Sequence, residues 1–226
     1  ISSLNDGSAF RILKVKEAIK QEFTIEEIHT NTGIDPWFLN EISEIVHLEN
    51  NYNSIDSLEL LKKNGFSDIQ IGALVNKTPK YIRKIRNKMN LKPVYKVVDT
   101  CAGEFIAETP YSYSTYESTH DISPLEGPKV IILGGGPNRI GQGIEFDYCC
   151  VQAVYGLREA GYKSIMVNCN PETVSTDFDL ADRLYFEPIT FEDIMHIIEF
   201  EKPDGVIVQF GGQTPLKIAE QLAKEG

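Results

Sequence analysis

Three short stretches rich in glycine, amides and hydroxyls carry the residue types that could do chemistry. The first is Gly134-Gly135-Gly136-Pro137-Asn138-Arg139-Ile140-Gly141-Gln142-Gly143, between the apolar run Val130 to Leu133 and a helical pattern opening near Ile144 to Asp147. Glycines let a backbone approach an anion closely, and the amides at a following helix start face that anion with a favourable dipole. The second stretch runs Asn168-Cys169-Asn170-Pro171-Glu172-Thr173-Val174-Ser175-Thr176-Asp177, and the third Gln209-Phe210-Gly211-Gly212-Gln213-Thr214-Pro215. Each follows an apolar run of strand length. In an open α/β sheet such loops gather above the carboxyl ends of the strands, where ligands bind. One such loop is an ordinary capped turn, but three at successive strand ends exceed what turning the chain requires.

The details break two common phosphate-binding fingerprints. Arg139 stands where G-x-G-x-x-G needs its third glycine, and Gln142-Gly143 replaces the Lys-Ser/Thr of a Walker loop. The acid that would hold a ribose at the end of the second strand is replaced by Asn168, Cys169 and Asn170. These departures argue against an NAD-dependent dehydrogenase. Cys101, Cys149, Cys150 and Cys169 show neither a CxxC nor a Cys/His ligand spacing, so no zinc site and no disulfide framework is expected.

The elements that must position these loops follow from the periodicity. After Pro128, apolar runs alternate with helical patterns: Val130 to Leu133, Tyr148 to Ala160, Ser164 to Val167, Leu184 to Phe186, Phe191 to Phe200, Val206 to Val208 and Leu216 to Lys224. Strand-helix-strand repetition with short apolar strands predicts a Rossmann-like α/β domain, a parallel sheet covered on both faces, over residues 128–226. Residues 1–93 instead repeat their apolar side chains at three and four, predicting an all-helical domain. Within it a helix is expected from Trp37 to about Glu49, and another through Lys63, capped by Ser54 or Asp56. Residues 94–127, with Pro110-Tyr111-Ser112-Tyr113-Ser114-Thr115-Tyr116, read as an extended linker lying on one or both domains, tyrosine faces buried and hydroxyls wet.

Two stretches of the helical half, Thr24 to Ile45 and Phe66 to Met89, have a helix-turn-helix rhythm. Seven Lys or Arg and no acid lie between Asn76 and Lys92, which makes a nucleic-acid-binding helix the best rival reading. A net charge of -11 argues against it, because the rest of the surface repels phosphates. A stand-alone nucleotide-binding module is a third reading. No window approaches the roughly 20 apolar residues that span a bilayer, and no secretory signal is visible, so a soluble cytoplasmic protein is expected. Ile1 and Gly226 both look like cut ends.

Read in order, the segments Gly134 to Cys150, Met166 to Asp179, Arg183 to Pro188 and Gly205 to Leu216, with Val98-Asp99-Thr100-Cys101-Ala102 before them, resemble the carbamoyl-phosphate synthase large subunit. The likeness is to the opening of its second, carbamoyl-phosphate-forming half, the domain that precedes an ATP-grasp domain. The helical half, by its position, resembles the family's oligomerisation domain. The resemblance implies a ligase making carbamoyl phosphate from bicarbonate, glutamine-derived ammonia and two ATP, for arginine and pyrimidine biosynthesis. It also implies self-association and a small glutaminase partner subunit. ATP with Mg2+ or Mn2+, and K+, belong by resemblance to the parent enzyme, and no cofactor or metal is expected in this stretch.

By the same resemblance Gly143, Glu145 and Glu172 line the path along which carbamate reaches its phosphorylation site. Gly134, Gly135, Gly136, Asn138, Arg139, Gly141, Asn170, Gly211, Gly212 and Gln213 then form site-wall loops, with no catalytic residue among them. The chemistry agrees in kind. A labile carbamate needs a water-limited route, glycines keep a passage wide, and carboxylates orient a polar intermediate without reacting. The plainer readings make Glu145 a helix-start acid and Arg139 an anchor for Asp177 or Asp179.

Overall fold

The computed structural model describes residues 4, 7–52, 57–137 and 144–225. They form two compact units, Ile1–Met89 and Asn90–Gly226.

The first unit is helical among its described residues: α1 (Arg11–Lys20), α2 (Ile25–Thr32), α3 (Pro36–Asn51), α4 (Leu58–Lys63), α5 (Asp68–Leu74) and α6 (Pro79–Lys88). Its boundaries are written in cap chemistry. Thr24 with Glu27 and Ser67 with Gln70 form reciprocal capping boxes, while Asp35 and Thr78 cap helices whose first residue is proline. Gly33 closes α2 in the left-handed region at φ 69°. Leu4, Val15, Ala18, Ile28 and Leu39 bury one core between α1, α2 and α3. The helix expected through Lys63 is α4, and Ser57 occupies its cap position without a side-chain bond; Ser54 and Asp56 lie outside the described residues.

The corner between α5 and α6 is locked by buried charge. Arg86 (1 % exposed) donates from Nε and Nη2 to the two carboxylate oxygens of Asp68 at 3.1 and 3.0 Å. Lys62 Nζ lies 3.6 Å from the same carboxylate and donates to Phe66 O at 2.7 Å. One of the basic residues in the Asn76–Lys92 run is therefore internal to the fold. Removing any one member would leave the others charged in an apolar setting, which is far more costly than losing a surface pair.

The second unit contains β1 (Val94–Val97), β2 (Tyr111–Thr115), β3 (Lys129–Leu133), α7 (Glu145–Glu159), β4 (Lys163–Val167), β5 (Arg183–Tyr185), α8 (Phe191–Glu201), β6 (Gly205–Ile207) and α9 (Gln213–Glu225). The sheet is six-stranded in the order β1-β2-β5-β4-β3-β6. The β5-β4-β3-β6 part is parallel and in Rossmann order, as is the β2–β5 pairing. Alternate residues face opposite ways. Ile131, Leu133, Ile165, Val167 and Tyr185 pack with Ile194 and Ile197 of α8, whereas Ile132, Met166 and Leu184 pack with Cys150, Val151 and Val154 of α7.

Two expectations need correction here. The sheet is mixed, because β1 runs antiparallel to β2. The stretch 94–127 is part of this unit and supplies two of its strands. Tyr-Ser-Tyr-Ser-Thr has period-two aromatic and β-branched character, but its interleaved serines read as loop; Ser112 is in fact buried and Tyr113 is exposed. Nor are the tyrosine hydroxyls all wet, since that of Tyr116 is buried.

Glu201, at the last position of α8, gathers this unit around one carboxylate with no exposure at all. It accepts from Leu125 N at 2.9 Å, from Arg183 Nη1 at 2.9 Å and from the Tyr185 hydroxyl, and Lys129 Nζ stands 3.7 Å away. Arg183 also donates to Ser123 O at 2.6 Å. The carboxylate thus ties α8 to β3, to β5 and to the segment entering the parallel sheet. Glu201→Gln keeps the shape and removes the charge, and is expected to lower stability by about 3–5 kcal/mol. Lys92→Ala, which removes an exposed pair with Glu199, should cost less than about 1 kcal/mol. Urea unfolding followed by the sheet's circular dichroism compares the two; equal costs would overturn the role given to Glu201.

Candidate functional site

The described parts of the three glycine-rich loops come together at the carboxyl ends of β3, β4 and β6, and the Asn168 side chain joins the first two of them. It is 2 % exposed at the end of β4. Its Oδ1 accepts from Gly136 N at 3.1 Å and from Asn170 N at 3.3 Å. Gly134, whose N donates to Val167 O at 2.8 Å, packs so closely that a Cβ there would sit 2.6 Å from the Asn168 side-chain nitrogen. A buried amide that satisfies two loop amides at once fixes loop shape, because leaving either N–H unpaired costs about 1–3 kcal/mol.

The third loop closes onto the first by backbone. A Cβ on Gly211 would stand 2.4 Å from the carbonyl oxygens of both Leu133 and Gly134, a distance no side chain tolerates. Gly212 adopts φ +75° and lies against the ring of Phe146, 3.2 Å from where its Cβ would be. Gly136, also at φ +75°, faces the Thr214 methyl at 3.3 Å. Gln213 is exposed and opens α9. Gly135 is half-buried between its neighbours.

The second loop is shaped by its own side chains. Asn170 Oδ1 accepts from Glu172 N at 3.1 Å, and Thr176 Oγ1 donates to Asn170 O at 3.2 Å and Thr173 O at 2.8 Å. A 3-10 turn at Val174–Thr176 is held to α7 by Ser175 N donating to Asp147 Oδ2 at 3.1 Å. Glu172 is exposed on this loop. Glu145 is exposed in the first turn of α7, where a carboxylate stabilises the positive helix end, so its plainer reading has structural support. The two carboxylates stand on separate elements, α7 and the loop after β4. Asn138, Arg139, Gly141 and Gly143 lie outside the described residues, and so does any pairing of Arg139 with Asp177 or Asp179.

The arrangement offers amides, hydroxyls and glycine surfaces rather than a metal cage. Among the described residues no group of three or more His, Cys, Asp or Glu could hold a metal ion. All four cysteines are free; burial pushes the Cys150 thiol up to about 12, with Asp147 adding to it, and burial also raises Cys169. Neither is an activated nucleophile. A shallow hollow at the α5–α6 corner, lined by Gly72, Ala73, Asn76, Lys77, Thr78 and Tyr81, belongs to the helical unit and not to this site. Sequence reading placed Asn168 in a loop without its organising role, and did not find Phe146, Thr214 or Asp147. Their signal is weak: an apolar ring and a hydroxyl near helix starts are ordinary until the glycine opposite them is known.

Comparison with known proteins gives this geometry a family. Residues 126–226 match the description "Carbamoyl phosphate synthase preATP-grasp domain", and residues 1–90 match "Carbamoyl-phosphate synthetase large chain, oligomerisation domain". The chain is 53% identical to the carbamoyl phosphate synthase large chain of Buchnera aphidicola, with 99% of the chain and 21% of that protein covered. It is 54% identical to the one from Pasteurella multocida (99% and 22% covered) and 51% identical to the one from Archaeoglobus fulgidus (97% and 21% covered). It thus spans about a fifth of the length of the curated relatives it matches. Two domain matches covering both units, together with identities above half along nearly the whole chain, place it in the carbamoyl phosphate synthase large-chain family.

Proposed function

We propose that this chain acts as the internal connection of a carbamoyl phosphate synthase large chain, joining its first synthetase half to the opening of its second. The helical unit serves association with another copy. The α/β unit forms part of the wall of the site where carbamate is phosphorylated. The observation that carries the reading is the convergence of the three loops, the first two on Asn168 and the third on the first through Gly211, in the unit that matches the pre-ATP-grasp description.

In this reading the whole protein uses bicarbonate, glutamine-derived ammonia from a small glutaminase subunit and two ATP, in the cytoplasm, for arginine and pyrimidine synthesis. Nucleotide and its divalent metal are gripped by the ATP-grasp portion that follows in the resemblance. The loops here shape a narrow, preorganised surface. Glu145 and Glu172, with Gly143, line the carbamate path and orient a polar species by charge without exchanging protons. Association through the helical unit is supported by its exposed apolar side chains, among them Phe10, Leu13, Trp37 and Phe38. No described helix is long and apolar enough to cross a membrane.

The purified chain should form no carbamoyl phosphate from bicarbonate, ammonia and ATP; clear turnover would overturn the division of labour. Sedimentation equilibrium should show a concentration-dependent dimer or larger species, and a strict monomer at tens of micromolar would remove the association role. The wall reading has its own test. Gly211→Ala should destabilise the α/β unit by at least about 1–3 kcal/mol. Gly156→Ala, which faces open space within α7, should stabilise it by up to about 1 kcal/mol. Matching effects in thermal unfolding would show that Gly211 is not held against the β3 carbonyls.

A further inference from the structure

Charge in the helical unit is divided along the chain. Residues 1–60 hold eleven Asp or Glu against four Lys or Arg. Residues 61–89 hold eight Lys or Arg and one acid, Asp68, which is matched internally by Arg86 and Lys62. The excess surfaces as two stripes. On α6, Lys80, Lys84 and Lys88 are exposed, follow one another at four-residue spacing and make no ion pair among the described residues. Tyr81, 43 % exposed, stands beside them, with Lys77 Nζ 5.7 Å from its ring centre. On α3, Glu41 and Glu44 are exposed and also make no ion pair among the described residues. They are flanked by Trp37 and Phe38, more than half exposed, and by Ile45.

The fold of one copy explains neither stripe. Lys80 lies in the first turn of α6, where a cation meets the positive end of the helix, and lysines at four-residue spacing repel one another. Both stripes stay exposed within one compact unit, so they do not cover each other inside a copy. Their spacings correspond. Trp37, Glu41 and Glu44 follow one face of α3, and Tyr81, Lys84 and Lys88 one face of α6, each over about 10 Å of helix. Laid side by side in the same direction, to within one residue, the helices set ring against ring, Glu41 opposite Lys84 and Glu44 opposite Lys88. A nucleic acid would meet the lysines but also the repulsion of a chain with net charge -11, whereas a second copy brings the matching acids with it.

We propose that the acidic, aromatic stripe of α3 in one copy seats on the lysine stripe of α6 in a second copy. The proposal rests on the association assigned above to the helical unit and names the surfaces that make it. Trp37, Phe38 and Tyr81 supply the dry centre of the contact, since aromatic side chains carry most of the energy of such patches. The charges set register and partner: Glu on Lys is favoured, and Lys on Lys or Glu on Glu is rejected. Because these charges sit at the rim of the contact, salt weakens it by screening, which a contact made of apolar surface alone would not show.

The test is sedimentation equilibrium of the full chain and of two charge-reversed variants, one carrying Glu41→Lys and Glu44→Lys, the other Lys84→Glu and Lys88→Glu. The dissociation constant of the unaltered chain should rise by about tenfold or more between roughly 0.05 and 0.5 M sodium chloride. Each variant alone should associate about tenfold or more weakly, and an equimolar mixture of the two should recover to within about threefold of the unaltered chain, because each then offers the other an opposite charge. Circular dichroism checks that both variants fold; if one does not, the neutral change Lys84→Gln with Lys88→Gln replaces the reversal and should weaken association by about threefold or more. A monomeric unaltered chain would remove the association reading and this proposal together. An unaltered chain that associates while salt and both reversals leave it unmoved, or reversals that weaken it without recovery on mixing, would overturn the α3–α6 contact and leave association standing. So would lysine reversal that abolishes binding to duplex DNA but leaves association intact, which would give the stripe to nucleic acid.

Discussion

The α/β unit depends on a carboxylate that never meets water. Glu201 occupies the last turn of α8, where the helix dipole gives it no help, so its charge must be matched by Arg183, Lys129, the Tyr185 hydroxyl and the Leu125 amide. Those partners come from β5, from β3 and from the approach to β3. Each is held in place by hydrophobic packing, and the carboxylate in turn fixes their register. An apolar residue at 201 could have filled the volume, but it would not have specified which strand end meets which helix end.

That specification reaches the three loops through the sheet. β3, β4 and β6 end level with one another because their registers are fixed, and only then can one asparagine side chain hold Gly136 and Asn170 together while Gly211 rests on the β3 carbonyls. The glycines are required by this closeness, not by flexibility. Their absent side chains are what allow two backbones and an amide to share the space above β3.

Much of this was legible in the sequence, because apolar runs of strand length and glycine-rich turns are local signals. The helices of the first unit were legible for the same reason, through Thr24, Asp35, Ser67 and Thr78 as caps. What stayed hidden is non-local. β1 and β2 are strands because β5 and α8 bury one side of them, and nothing within Tyr-Ser-Tyr-Ser-Thr states that. Glu187 and Glu201 look like surface acids among other acids until their partners, 73 and 76 residues away, are placed beside them. Arg86 reads as part of a basic outer face until Asp68 claims it.

The pairing of β2 with β5 also bears on how the chain is made. Ser114 and Glu187 are 73 residues apart, so at synthesis rates of about 5–20 residues per second the hairpin emerges roughly 4–15 s before its parallel partner exists. For that interval β2 presents an open row of amides and carbonyls, the kind of edge that recruits the wrong neighbour. Its other edge is covered at once by β1, whose Lys96 is held by Asp121 at 3.0 Å, putting charge beside the outer strand. The newborn hairpin is thus guarded on one side only, and a nascent chain stalled between these two points would offer β2 to any strand within reach.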